Sequence, residues 1–148
     1  MIITFCGHSD FFSTEEIEKR LLLLLEEKVR EEPIYMYLGG YGGFDKFAYN
    51  CCKKYQRSNF NVKVIYITPY VTVEYQKNHL ADLKLKYDEI IYPEIEDKPL
   101  RFAISYRNKW MVEKADLVIA YVSHNWGGAY QTYKYAKRKG KEVINLAE

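Results

Sequence analysis

Short apolar runs alternate with helical patterns along almost all of this 148-residue chain, and that alternation constrains the fold more than any other feature. The runs hold four to six residues with few polar interruptions, which is typical of strands covered on both faces, as in a parallel sheet. The predicted strands are Ile2–Cys6, Ile34–Leu38, Val62–Ile67, Glu89–Tyr92, Leu117–Val122 and Val143–Leu146. Strands that alternate with helices predict an α/β fold with a Rossmann-like, doubly wound, mainly parallel sheet in a single three-layer domain.

Helical patterns fill the segments between these runs. Ser13 followed by Glu16 predicts a capping box for a first helix that extends to about Glu31. Its inward-facing residues are Ile17, Leu21, Leu24 and Leu25. The second helix is amphipathic, with an apolar stripe that consists of Phe44, Phe47, Ala48, Cys51, Cys52 and Tyr55. Further helices are predicted over Leu100–Lys114 and over Gly128–Lys139, with Gly140 as the stop signal of the latter.

The stretch from Pro69 to Pro99 is the least regular part of the sequence. It carries the pattern of a short helix around Thr72–Leu83, and we expect it to form a loop over the site or a contact between copies of the chain. No linker, repeat or low-complexity segment is evident elsewhere. Residues 1–148 are therefore predicted to form one domain.

The composition predicts a cytoplasmic protein. Hydrophobic residues make up 48% of the chain, yet no run of about 18 apolar residues suggests a membrane span. The first ten residues show no basic segment ahead of an apolar one, so no secretory signal is visible. Three cysteines are an odd number, which favours reduced thiols over disulfides. The adjacent pair lies on the core stripe of the second helix, so we expect burial rather than redox or metal chemistry, and we predict neither a metal nor a cofactor.

The charge pattern does not favour nucleic acid as a partner. The formal net charge is +2, and the basic residues are spread along the sequence. The densest run, 137–141, falls where the last helix should end, and cations there suit the negative end of the helix dipole. Nucleic-acid-binding domains usually carry a basic patch on a strongly basic chain, so nucleic acid is not among the expected partners.

The turn after the first predicted strand contains Gly7, His8 and Ser9. In open α/β sheets ligands bind beyond the carboxyl ends of the strands, so the turns that follow strands are the places to look for a site. Glycine permits a sharp turn, and the two polar side chains offer hydrogen-bond donors there. The alternative interpretation is a tight turn with a surface histidine.

A second turn, after Ile34–Leu38, holds half of all the glycine in the protein. Its four glycines fall within five residues: Gly39, Gly40, Gly42 and Gly43. This density predicts a close approach of the backbone to a ligand, or repeated positive φ. A helix follows, and its free N–H groups and dipole would favour an anion. The spacing is neither that of a dinucleotide fingerprint nor that of a P-loop. Asp45, in the first helical turn, either complements the helix dipole or hydrogen-bonds a ribose hydroxyl.

A third turn, after Leu117–Val122, repeats the arrangement. A buried strand leads through Gly127 and Gly128 into a helix that begins at about Gly128 and continues through Ala129, and this geometry presents bare N–H groups to a phosphate. Thr132 lies one turn into that helix and adds a hydroxyl. An ordinary loop is the alternative, although two such loops in a small domain favour a shared ligand.

Arg107 and Asn108 lie on a predicted helix among apolar neighbours. An arginine on an apolar face needs a partner, because burying an unpaired charge costs several kcal/mol. That partner is either an internal carboxylate, such as Asp116 or Glu113, or a ligand phosphate held by the planar guanidinium. Asn108 is predicted to read a base or to position a loop.

These same residues carry a family resemblance. The segments are a first strand ending in Gly7-His8, the run 38–45, the run 107–121 and the run 127–132. Together they resemble the SLOG superfamily, the Rossmann-like group that contains the LOG phosphoribohydrolases, the DNA-processing protein DprA and the YpsA-like proteins. The likeness spans nearly the whole chain and is closest to the YpsA-like branch. It implies a nucleotide or nucleotide-derived ligand held by the loops Gly39–Asp45 and Gly127–Thr132, and it implies self-association into a homo-oligomer.

The chain departs from the enzymes of this group. LOG enzymes carry a Pro-Gly-Gly-x-Gly-Thr-x-x-Glu motif whose glutamate serves catalysis. Here the late loop reads Trp126-Gly-Gly-Ala-Tyr-Gln-Thr132 with no glutamate following, and the earlier loop has Asp45 but no Thr-x-x-Glu. Phosphoribohydrolase activity is therefore not supported by the motif. For a role like that of DprA, we expect neither the basic surface nor the extra domain that would engage DNA, so the sequence supports that role even less.

Three hypotheses for the function follow. The first is a module that senses or sequesters a nucleotide-derived small molecule. The second is an enzyme that cleaves or transfers the N-glycoside of a nucleoside or its monophosphate, like a phosphoribohydrolase or a deoxyribosyltransferase. Its oxocarbenium-like transition state needs a carboxylate, for which Asp45 is the candidate, with His8 as acid or base. The third is a structural partner that uses its 15 tyrosines as an interface.

Overall fold

Strands and helices alternate in the computed structural model, which describes residues 1–28, 32–70 and 73–148. The strands of this part of the chain are β1 (Ile2–Gly7), β2 (Ile34–Leu38), β3 (Val62–Ile67), β4 (Glu89–Ile91), β5 (Leu117–Tyr121) and β6 (Glu142–Asn145). The helices are α1 (Glu15–Lys28), α2 (Gly42–Gln56), α3 (Val73–Lys86), α4 (Ala103–Lys114) and α5 (Gly128–Arg138), and a 3-10 turn at Leu100–Phe102 leads into α4. The apolar runs thus predicted every strand, with bounds that differ by at most one residue at either end.

The strands form one sheet in the order β4-β3-β2-β1-β5-β6, and every neighbouring pair is parallel. The chain winds outward from β1 to β4 in one direction, returns past β1 and continues through β5 and β6 in the other. This is the predicted doubly wound, Rossmann-like α/β fold. The strand order reverses between β1 and β5, and ligands of such folds bind at that edge of the sheet.

Each face of the sheet is covered by its own hydrophobic cluster. On one face α1 and α2 pack against the central strands, and the whole predicted stripe of α2 is buried there. The cysteines of that stripe carry free thiols, and burial raises the pKa of Cys51 to about 12 and the pKa of Cys52 well above its ordinary value. On the other face α4 and α5 pack against each other and against β1. The buried thiols of Cys51 and Cys52 are therefore part of the core, because a protonated buried thiol is a poor nucleophile and a poor metal ligand.

The start of α1 corrects one prediction. The backbone N–H of Ile17 donates to the hydroxyl of Thr14 at 3.2 Å, so Thr14 caps the helix and the predicted capping box of Ser13 with Glu16 is wrong by one residue. Adjacent Ser and Thr residues both suit this position, and the chain path decides between them. Leu21 and Leu25 are buried as expected. The predicted end of this helix at Glu31 lies outside the described residues.

The irregular stretch between Pro69 and Pro99 contains a longer helix than expected. Helix α3 has 14 residues and ends at Lys86, while the predicted start at Thr72 lies outside the described residues. The following strand, β4, is short and forms the edge of the sheet. None of the helices in the described parts of the chain has the length and apolar character needed to span a bilayer.

Candidate functional site

A cavity of about 330 Å³ opens at the carboxyl ends of β1 and β5, where the strand order reverses. Its walls come from the turn after β1, the start of α2, the inner face of α4 and the turn from β5 into α5. Ten of the predicted site residues line it: Gly7, His8, Ser9, Asp45, Arg107, Asn108, Gly127, Gly128, Ala129 and Thr132. The volume lies within the range of small-molecule sites.

The turn after β1 holds His8 in one tautomer. The side chain is 6% exposed, and its Nε2 accepts the backbone N–H of Ser123 at 2.9 Å. Neutral His8 therefore carries its proton on Nδ1 and acts as a donor there. Burial, followed by the neighbouring His124, lowers the pKa of His8, while Asp10 opposes the shift. His8 is thus suited to donate a hydrogen bond as a neutral group, and Nε2 is not available as a base.

The glycine loop before α2 departs from its predicted role. The first amides of α2 were expected to be free for an anion, but Gly43 N–H donates to Ser9 O at 2.8 Å and Phe44 N–H donates to His8 O at 3.3 Å. A side chain at Gly42, which has φ +87°, would meet the Cα of Ser9 at 2.7 Å. These glycines therefore permit the two turns to pack against each other. The chain's own carbonyls satisfy the amides that the sequence assigned to a phosphate.

The start of α5 retains the geometry that the sequence predicts for an anion. Gly127 precedes the helix with φ +91°, a conformation that favours glycine. Within the described residues, the amides of Gly128 and Ala129 make no hydrogen bond, as is usual for the first turn of a helix. The hydroxyl of Thr132 donates to Gly128 O at 3.0 Å, so its proton is used within the helix. Of the two predicted anion cradles, this one has unbonded amides on residues that line the cavity.

Arg107 is 2% exposed and ties two strands together. Its guanidinium Nη1 donates to Gly39 O at 3.1 Å and to Ile67 O at 2.7 Å, at the ends of β2 and β3. Its Nε donates to the side-chain carbonyl of Asn108 at 2.9 Å. The internal partners proposed from the sequence, Asp116 and Glu113, are not among these bonds; Asp116 instead accepts the N–H of Ile2. Arg107 thus has a structural role, and it also lines the cavity.

Asp45 is the acidic group of the cavity with an altered pKa. Burial raises its pKa to about 6, although the N–H of Tyr41, which donates to its Oδ2 at 2.9 Å, and the nearby Arg107 both act to lower it. A carboxyl with a pKa near neutrality inside a cavity is a candidate for proton transfer. The hydrogen bond from the Tyr41 N–H also shows that the carboxyl group of Asp45 holds the end of the loop before α2.

We expect Asp45→Asn to change how stability depends on pH. The carboxyl binds its proton more tightly in the folded chain, where its pKa is about 6, than in the unfolded chain, where it is near 3.8. Its stabilising contribution is therefore complete below about pH 4 and is lost as pH rises through 6, a difference of about 2–3 kcal/mol. Urea unfolding from pH 4 to pH 7 checks this, with the exposed Asp97→Asn as control. The prediction is wrong if the free energies of unfolding of the wild type and of Asp45→Asn differ by the same amount at every pH.

A second cavity, of about 710 Å³, adjoins the first across Arg107 and Asp45. It lies beyond β2 and β3, and the predicted site residues Gly39 and Gly40 line it rather than the first cavity. Its other walls are rich in tyrosine: Tyr41, Tyr49, Tyr66, Tyr70 and Tyr87. The predicted site residues are therefore divided between two neighbouring cavities, while Gly42 and Gly43 pack against the turn after β1.

His124 and Trp126 line the first cavity but were not among the predicted site residues. Their rings continue a stack that begins at His8: the His8 and His124 centroids are 3.6 Å apart, and those of His124 and Trp126 are 3.9 Å apart. The signal that was available is a histidine and a tryptophan in a loop directly after a buried strand, where a plain turn would carry small polar residues. Described His, Cys, Asp and Glu residues form no cluster of three that would suit a metal ion.

The structure brings Lys109 close to two cations of the basic run 137–141. Lys109, Arg138 and Lys139 all lie 5.3–5.5 Å from the ring centroid of Tyr135, at the contact between α4 and α5. None of these three cations forms an ion pair with a carboxylate in the described ranges. A local cationic cluster therefore exists on a chain whose net charge is only +2.

Comparison with known proteins gives one sequence relative and several structural neighbours. No protein-family model matches the chain. The SPbeta prophage-derived protein YoqJ of Bacillus subtilis is 27% identical over 141 residues, which cover 83% of this chain and 81% of YoqJ.

The structural neighbours include two DprA proteins. DprA from Streptococcus pneumoniae superposes with a TM-score of 0.64 at 17% identity, over 95% of this chain and 48% of DprA. DprA from Helicobacter pylori, whose structure concerns a single-stranded DNA binding mode, superposes with a TM-score of 0.61 at 17% identity, over 97% of this chain and 63% of that protein. The structural-genomics target TM1055 superposes with a TM-score of 0.58 at 15% identity, over 97% of this chain and 72% of TM1055. This chain thus spans about half of the pneumococcal protein. It has the Rossmann-like fold of DprA and TM1055, which agrees with the SLOG-type resemblance in its sequence.

Proposed function

We propose that this protein binds a phosphate-bearing, nucleotide-type small molecule in the cavity between β1 and β5, as a sensor or sequestering module. The observation that carries the proposal is the open amides of Gly128 and Ala129 at the rim of a cavity at the strand-order reversal. An anion there meets N–H donors and the positive end of the α5 dipole.

The other walls of the cavity suit the non-phosphate part of such a molecule. His8 offers a neutral Nδ1 donor. Asn108 offers its side-chain N–H₂ group, since its side-chain carbonyl already accepts a hydrogen bond from Arg107. Ile104 and Met111 supply apolar surface from α4. This combination of a few fixed polar groups with apolar walls is typical of small-molecule sites.

The first test is binding itself. Purified protein is screened by thermal shift against nucleoside monophosphates, dinucleotides, and cyclic or ADP-ribose-type nucleotides. A ligand present at 100 times its Kd stabilises the folded state by about 2.7 kcal/mol. If no member of the panel raises the Tm, the proposal is wrong.

Gly128→Pro tests the phosphate position directly. Gly128 is the first residue of α5, where proline is tolerated, and a Cβ added there meets nothing within 4 Å. The substitution removes one amide donor, so we expect about 10-fold weaker binding of the nucleotide found in the screen, with little change in stability. Gly128→Ala keeps the amide and is the matched control. Equal affinities of the two variants in calorimetric titration would place the phosphate elsewhere.

The alternative function is cleavage or transfer of an N-glycosidic bond. The observation that favours it is the pKa of Asp45, which burial raises to about 6 in the wall of the cavity. Asp45 would stabilise the oxocarbenium-like transition state or activate water, and His8 would donate from Nδ1. Because its Nε2 is engaged, His8 serves here as a donor only.

Incubation with nucleosides and nucleoside monophosphates, followed by chromatography, distinguishes the two functions. Release of free base that is lost in Asp45→Asn, with binding retained, supports the enzyme. Stable nucleotides together with a thermal shift support the binding module.

Two further expectations belong to this proposal. Self-association of the chain is checked by analytical ultracentrifugation with and without nucleotide. Nucleic acid was not expected from the sequence, but the DprA of H. pylori binds single-stranded DNA. Lys109, Arg138 and Lys139 form a cationic cluster here that has no ion pair with a described carboxylate. An oligonucleotide titration at two salt concentrations tests this, since binding through phosphates weakens steeply with salt.

A further inference from the structure

Three aromatic rings form a continuous stack beside the cavity. The planes of His8 and His124 are 9° apart with centroids separated by 3.6 Å, and those of His124 and Trp126 are 19° apart at 3.9 Å. The stack runs from His8, which is 6% exposed, to Trp126, which is 65% exposed. It therefore ends in a large indole at the surface.

The inner rings hold that indole in place. The Ser123 N–H fixes His8 through Nε2, His124 is covered by a ring on each side, and Trp126 rests one face on His124. A tryptophan that is mostly exposed gives up the burial that such a large side chain usually gains. Here the support fixes the orientation of the ring, so little conformational entropy would be lost when a planar group stacks on the other face.

Trp126 also lies close to the phosphate position. It precedes Gly128 by two residues, and both line the same cavity. A planar ring stacked on Trp126 and an anion at the α5 amides are therefore within reach of a single small molecule, as the base and phosphate of a nucleotide are.

We infer that a nucleobase packs on Trp126 as a fourth ring in this stack, and that this contact selects nucleotides over phosphorylated sugars without a base. The inference rests on the proposed function, since it assigns the base of the same ligand. Purines should bind more tightly than pyrimidines because their larger π-surface overlaps more of the indole.

The experiment compares ligands with and without a base. AMP, GMP, CMP, UMP and ribose 5-phosphate are titrated into the wild type, Trp126→Phe and Trp126→Ala, with folding verified by circular dichroism. We expect Trp126→Ala to weaken binding of the purine nucleotides about 5- to 100-fold, given the usual strength of stacking between bases and aromatic rings. Trp126→Phe should retain most of the affinity, and ribose 5-phosphate should bind all three proteins equally.

Fluorescence supplies a second readout that does not depend on a variant at position 126. Trp126 and Trp110 are the two tryptophans of the chain, so Trp110→Phe leaves Trp126 as the single reporter. AMP should quench its emission on binding, and ribose 5-phosphate should not.

The possible failures are distinct. If nucleotides bind Trp126→Ala as tightly as the wild type and leave the fluorescence of the Trp110→Phe protein unchanged, stacking is refuted while the proposed function stands. If ribose 5-phosphate loses as much affinity as AMP in Trp126→Ala, Trp126 shapes the phosphate site and the inference is again wrong. If neither AMP, GMP, CMP, UMP nor ribose 5-phosphate binds the wild type, the inference is wrong, and the proposed function is refuted as well when the rest of the thermal-shift panel also fails to bind.

Discussion

Arg107→Met is expected to lower the free energy of unfolding by about 3–5 kcal/mol, because each buried acceptor that loses its donor costs about 1–3 kcal/mol. Arg107 is 2% exposed, and its guanidinium joins Gly39 O, directly after β2, to Ile67 O, at the end of β3. Methionine fills a similar volume without any donor. Both carbonyls and the side chain of Asn108 would therefore lose a hydrogen bond in a buried environment.

The same substitution should alter the cavity. Arg107 is one of the influences that act to lower the pKa of Asp45 against the effect of burial. Without it, we expect the pKa of Asp45 to rise above 6, which extends the range in which the carboxyl is protonated. The pH dependence of stability described for Asp45 should then shift to higher pH.

Urea unfolding at pH 7 measures the loss, and Arg138→Met is the matched control. Arg138 is exposed on α5 and lies 5.3 Å from the ring centroid of Tyr135, so its removal should change stability by less than about 1 kcal/mol. A loss of similar size in both variants would show that Arg107 does not join the strands in solution.

The fold was predictable because its determinants are local. The buried strands are continuous apolar runs, and the bounds of β2 and β3 coincide with the runs Ile34–Leu38 and Val62–Ile67. The stripe of α2 follows helical spacing, which depends only on neighbours three or four residues away. Errors occurred where adjacent residues are chemically equivalent, as with Ser13 and Thr14 at the start of α1.

The site was predictable in position but not in its hydrogen bonds. Parallel strands bring their carboxyl ends to one edge, so residues after β1 and β5 had to meet there. The sequence does not reveal that the amides of Gly43 and Phe44 are taken by carbonyls of the His8-Ser9 turn, because this pairing joins segments more than 30 residues apart. The same limit applies to Arg107, whose partners Gly39 and Ile67 lie 68 and 40 residues away.

The contrast between the two glycine-rich turns has a physical basis. Both turns lead into helices, and both sequences predict bare amides. In the first turn a side chain at Gly42 would meet the Cα of Ser9 at 2.7 Å, and one at Gly43 would meet the carbonyl oxygen of Phe11 at 2.4 Å. In the second turn a side chain at Gly127 or Gly128 would meet nothing within 4 Å. Glycine serves close packing of the chain on itself in the first turn. In the second it leaves open space, which is the condition for a ligand to approach.

Gly7→Ala should destabilise the fold strongly, because the end of β1 packs directly on α2. A Cβ at this position would lie 2.2 Å from Cγ and 2.6 Å from Cβ of Phe44, whose side chain is fully buried against the rings of Phe11 and Phe47. Phe44 cannot move away without opening the core, so we expect a loss of about 3 kcal/mol or more. Gly128→Ala, where the added Cβ meets nothing within 4 Å, should be neutral or slightly stabilising.

A double-mutant cycle identifies the clash as the cause. Phe44→Ala alone should cost about 3–5 kcal/mol through the cavity that it leaves. In that background the ring atoms at 2.2 and 2.4 Å are gone and only the Cβ of residue 44 remains, at 2.6 Å. Adding Gly7→Ala should therefore cost clearly less than it does in the wild type, a coupling that exceeds the usual additivity error of about 0.5 kcal/mol. Guanidinium unfolding of the single and double variants measures it. Additive losses would mean that Gly7 is required for the backbone conformation at the end of β1, and not for the contact that brings α2 against the site.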